Sequence, residues 1–138
     1  MRQEAIFAPV SALAIWTLGV LTMTGLRRVF AVRARRVPAK AFRYGESADV
    51  PDELRVWNRN FVNLLETPLL FYVVSIAFYV TRNVSPAVVR LAWVYVALRV
   101  LHSIVHLTVN RIVVRFSVFA ASITVLAWQW LSFAHRFL

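Results

Sequence analysis

Cysteine is absent from the 138 residues, so the chain has no disulfide framework and no thiol of its own to act as nucleophile or metal ligand. Any sulfur chemistry must arrive with a ligand. Acidic residues are scarce as well, 6 against 16 Lys and Arg, for a formal charge of +10. That surplus does not form a nucleic-acid-binding face, because most of the arginines lie at the ends of apolar runs, where flanking charge sets membrane topology. Glycine occurs only 3 times while 60% of the residues are hydrophobic. A domain this small has too little interior to hide so much apolar side chain from water, so its solvent is lipid.

Ile6 to Leu26 carries no charge and, at about 1.5 Å per residue, is long enough to cross the hydrocarbon layer. It is too long for the apolar part of a cleaved leader, and no small-x-small site precedes the arginines. The pattern breaks over 27–56, where eight basic residues are interleaved with Pro38, Gly45, Pro51 and the acids Glu46, Asp49, Asp52 and Glu53. Three further apolar runs follow with short connections, and Ser85-Pro86 has the form of an N-cap and first-turn proline. The expectation is an all-α polytopic membrane protein, a four-helix bundle with spans at about 6–26, 57–80, 86–107 and 112–134 and one long loop. Basic residues crowd the side holding that loop, leaving Arg2, Arg82, Arg90 and Arg136 on the other. The loop is therefore expected in the cytoplasm and both termini away from it.

The second run breaks the rules of a plain anchor. Arg59, Asn63 and Glu66 are spaced by four and three, which puts them on one stripe of a helix. Arg99, His102 and His106 share a face of the third span in the same way. In an antiparallel hairpin, Glu66 comes level with Arg99, Asn63 with His102, and Arg59 with His106. Arg115 and Arg27 belong to the same half of the bilayer.

Each residue has a plainer use. Glu66 with Arg99 would serve as a buried ion pair that sets helix register, and Asn63 as interhelical glue. A single helix histidine is more often structural than a ligand, and Arg27 or Arg115 can snorkel. Counting charges favours a site: Arg27, Arg59, Arg99 and Arg115 face one carboxylate, Glu66. Unpaired buried charge is expensive, and the guanidinium fork suits a small carboxylate-bearing ligand, with Glu66 left for an ammonium group. A metal or haem at His102 and His106 is the competing use of that pair, but it lacks the intervening glutamate of H-E-x-x-H. A transporter would call for inverted repeats or broken paired helices, which this chain does not offer.

TGLRRVF closing the first span, NRNFVNLLETPLLFY in the second and RVLHSIVHLTVNRIVVRF from the third into the fourth together resemble the MAPEG family, membrane-associated proteins in eicosanoid and glutathione metabolism. The likeness covers nearly the whole chain and looks closest to bacterial members, which implies an inner-membrane location. It implies a homotrimer binding glutathione, as co-substrate, between neighbouring protomers in the cytosolic half of the bilayer. By position, Arg59, Asn63 and Glu66 match the glutathione-binding stripe, and Arg27 matches an arginine reaching in from the adjacent protomer. Arg99 and His102 match a third-helix motif of microsomal glutathione transferases, and His106 stands where better-known members have tyrosine. Arg115 is the match for the thiol-activating arginine, with Arg111 the alternative because the turn length differs. The implied activity is that of a transferase or peroxidase on hydrophobic electrophiles arriving through lipid. A non-catalytic trimer retaining the fold and the anion site is the alternative.

Overall fold

The computed structural model describes residues 2–43, 45 and 47–137; Glu46, counted above among the loop acids, lies outside them. Four helices carry the fold: α1 (Phe7–Arg33), α2 (Asp52–Val80), α3 (Pro86–Leu107) and α4 (Ile112–Ala134). All four are long and apolar enough to cross a membrane. A helix satisfies its backbone N–H and C=O groups internally, which lipid demands of any spanning segment. Short 3-10 turns stand at Gln3–Ile6 and Ala39–Phe42.

Helices α3 and α4 pack along each other, as do α1 and α2, while α1 also meets α3 and α2 meets both α3 and α4. On α1 the buried positions Pro9, Leu13, Thr17, Val20 and Thr24 recur every three or four residues, a helical stripe turned inward. Thr17 and Thr24 return their hydroxyls to the carbonyls of Leu13 and Val20 at 2.9 and 2.8 Å, so neither polar group is left unpaired among apolar neighbours. Phe71 of α2 stacks on Tyr95 of α3 with ring centroids 4.7 Å apart. These rings belong to a core with Leu13, Leu64, Val74, Phe78, Ala92 and Leu126. Pro68 sits buried within α2 and has no N–H to offer the carbonyl of Leu64.

The helices outrun the apolar segments at the basic end. α1 continues past Leu26 to Arg33, and α2 begins at Asp52, ahead of Trp57. Charged residues do not break a helix, and Asp52 and Glu53 in the first turn of α2 complement its dipole. Arg27 lies over the Trp57 ring at 4.4 Å, and Arg28 Nη2 donates to Asn58 Oδ1 at 2.8 Å. The shortened connection closes on its own small cluster of Ala31, Val37, Ala41, Val50 and Leu54, and Arg36 pairs with Glu53 across it. At the other end Ser85 Oγ accepts from Val88 N at 3.3 Å with Pro86 in the first turn of α3, as its sequence predicts. Gln3 holds Val84 there with both amide atoms, accepting from its N–H at 3.0 Å and donating to its carbonyl at 3.3 Å.

Candidate functional site

A cavity of about 480 Å³ opens between α2, α3 and α4. Arg59, Asn63 and Glu66 reach it from α2, His102 and His106 from α3, and Arg115 from α4. Six of the eight expected residues thus share one chamber. The spacing that predicts one stripe per helix holds, and antiparallel packing brings the stripes together. Val62, Ile112, Phe116 and Phe119 supply an apolar wall to the same space.

Both histidines are 3% exposed, with ring centroids 5.8 Å apart. His102 Nδ1 lies 3.2 Å from the carbonyl oxygen of Arg115. A carbonyl can only accept, so this contact places the proton of neutral His102 on Nδ1 and leaves Nε2 as a lone-pair acceptor. Nε2 of His102 and both ring nitrogens of His106 are buried without a hydrogen-bond partner. Asn63 Nδ2 donates to the Arg59 carbonyl at 3.0 Å, which leaves its side-chain oxygen uncommitted.

Arg99 and Arg27 are not among the cavity-lining residues. Arg99 is 0% exposed and buried behind the wall, with Nη2 donating to the backbone carbonyl of Asn63 at 2.7 Å. The buried ion pair that was the plainer use of Glu66 and Arg99 does not form among the described residues. Glu66 is exposed on the cavity side of α2, whereas Arg99 occupies the buried face of α3. Arg27 lies over Trp57 of the same chain and lines a separate pocket with Arg36 and Glu53. Arg111 stands at the N-cap position of α4, with no capping bond from its side chain, and does not line the cavity.

Sequence reasoning passed over Asn60, which is 0% exposed and donates from Nδ2 to Ser103 Oγ at 2.7 Å. Its signal was the buried stripe Asn60, Leu64, Pro68 and Phe71, spaced by four, four and three. Asn58, at the cavity rim, and Asn110, which holds Arg115, were missed too.

Arg59 and Arg115 against Glu66 give the lining a net charge of 2 − 1 = +1 with neutral histidines, and Arg99 adds a further cation behind it. Low-dielectric surroundings strengthen the attraction of such a chamber for an anion. The mixture of guanidinium groups, one carboxylate and an apolar wall suits an amphipathic zwitterion of net negative charge beside an oily co-substrate. Residues 6–135 match the MAPEG family. No curated protein and no solved structure gives a match.

Proposed function

The chain belongs to the MAPEG family, and on that premise we propose that this multi-pass membrane protein binds glutathione in the α2–α3–α4 cavity and uses it as a transferase or peroxidase on hydrophobic electrophiles. The observation carrying the proposal is the meeting of Arg59, Arg115 and Glu66 in one chamber with Val62, Ile112, Phe116 and Phe119. Glutathione brings carboxylates for the arginines, an ammonium for Glu66 and the thiol that the chain lacks.

A free thiol has a pKa of about 8.5, so little thiolate is present at neutral pH. A guanidinium beside the sulfur in a water-poor site favours the anion. Arg115 takes that role, and it is preferred over Arg111 because it lines the cavity. The apolar wall would hold the electrophile against the sulfur, so the protein contributes proximity and charge stabilisation. Asn63, His102 and His106 complete the ligand's polar surroundings, while Arg99 acts through the backbone of Asn63.

Arg27 lies outside its own chain's cavity, which supports a homotrimer in which the first helix of one protomer serves its neighbour's site. The basic loop favours a cytoplasmic placement, with termini on the other side of a bacterial inner membrane. Purified protein should be thermally stabilised by millimolar glutathione, and Glu66→Gln or Arg59→Ala should abolish the shift. No shift in the wild type would refute the ligand assignment. Binding without turnover of any electrophile would identify a non-catalytic member instead.

A further inference from the structure

The turn between α3 and α4 does more than reverse the chain. Asn110 has φ 47°, the left-handed region that asparagine tolerates better than branched residues. Its N–H donates to the Val105 carbonyl at 2.8 Å, satisfying a carbonyl left over at the C-terminus of α3. Its side-chain Oδ1 accepts from Arg115 Nη1 at 2.8 Å. Arg115 sits one turn into α4, its own N–H donating to the Arg111 carbonyl at 2.9 Å. On the α3 side, His102 Nδ1–H donates to the Arg115 carbonyl. Arg115 is therefore held twice, by its backbone from His102 and by its guanidinium from Asn110.

We infer that Asn110 is a positioning residue that holds the Arg115 guanidinium at the cavity wall. An arginine near a membrane surface otherwise reaches for headgroups and water, and its long side chain has many rotamers to choose among. Tying Nη1 to a turn whose backbone is itself pinned to α3 removes much of that freedom before a ligand arrives. Among the described residues, Nε and Nη2 of Arg115 have no hydrogen-bond partner, so one edge of the fork stays available for an anion. Arg111 has no such tether among the described residues and stands outside the cavity. The choice between the two arginines is thus made by the turn.

This deepens the proposed glutathione reaction and rests on it, so its test needs a readout that does not depend on turnover. Asn110→Gly keeps the left-handed backbone and removes the acceptor; Asn110→Asp keeps an acceptor. Rates of Arg115 and Arg111 modification by a dicarbonyl reagent, read by peptide mass mapping, report the freedom of each guanidinium. Asn110→Gly should raise the Arg115 rate several-fold relative to Arg111, with Asn110→Asp close to wild type. With glutathione and an aromatic electrophile, Asn110→Gly should lower kcat about tenfold while glutathione affinity changes little. An unchanged Arg115 rate in Asn110→Gly overturns the inference, as does an equal rise in Asn110→Asp. A raised rate with unchanged kcat overturns the catalytic link. If the wild type neither binds nor turns over glutathione, the ligand assignment fails, while the modification ratio still decides whether Asn110 holds Arg115.

Discussion

The guanidinium of Arg99, fully buried in α3, hydrogen-bonds through Nη2 to the backbone carbonyl of Asn63 in α2 at 2.7 Å. Nε and Nη1 have no hydrogen-bond partner, and Cζ stands 5.5 Å over the ring of Phe119. A buried cation so sparsely satisfied costs stability. Its position, against the helix that carries the polar stripe of the cavity, makes it a source of positive potential for the chamber it does not line.

Arg99→Met should therefore leave thermal stability in detergent unchanged or raised, since a desolvated charge is replaced by a side chain that fits apolar surroundings. Glutathione affinity should fall several-fold in the same variant, as read by titration. A large drop in melting temperature would mean that Arg99 is a structural tie.

Asn60 and Ser103 form a buried side-chain hydrogen bond that joins α2 to α3. Ser103→Ala orphans the Asn60 amide and should cost about 1–2 kcal/mol of stability. In Asn60→Leu with Ser103→Ala the loss should be smaller than the sum of the single changes. A double-mutant cycle with no coupling would contradict the contact.

Arg115→Ala should reduce turnover with an aromatic electrophile more than it weakens glutathione binding, because stabilising the thiolate matters most as the sulfur reacts. Arg111→Ala should leave both within about twofold of wild type. Equal loss of binding and turnover in Arg115→Ala would reduce its role to ligand positioning, and a larger effect at Arg111 would transfer the role there.

Gln3 clasps Val84 at the end of the bundle away from the cavity, where Arg136 Nη1 also donates to Asn83 Oδ1 at 3.1 Å. Gln3→Ala should lower stability by about 1–2 kcal/mol. The glutathione-induced thermal shift should persist, since no cavity residue is touched.

Val50, 2% exposed, closes the small loop cluster with Val37 and Ala41. Val50→Asp buries an unpaired carboxylate there and should speed tryptic cleavage at Arg35, Arg36 and Lys40, with the four helices retained by circular dichroism. Loop cleavage at the wild-type rate would mean that the cluster does not protect the segment. In sealed vesicles of known orientation, the same cleavage also reports the side on which the loop lies.

The elements and the cavity stripes were legible in the residues for a simple reason. An apolar run long enough to cross lipid must be helical there, and helical period assigns Arg59, Asn63 and Glu66 to one face whatever that face meets. The ends were less legible. Hydropathy stops at Leu26, yet α1 runs on to Arg33 because Arg27 and Arg28 find Trp57 and Asn58 on α2. Arg99 was read as a site member but lies behind the wall, and Asn60, passed over in the sequence, belongs to the packed face.

From sequence alone came the lipid solvent, the four spans, the excess of guanidinium over carboxylate and the rotational phase of each polar stripe, because composition and period are properties of a single helix. Which arginine enters the chamber, which lies behind it and which turns away depended on helix crossings and on the reach of individual side chains. Those are relations between helices, and only the tertiary structure sets Asn110 against Arg115 and Asn63 against Arg99.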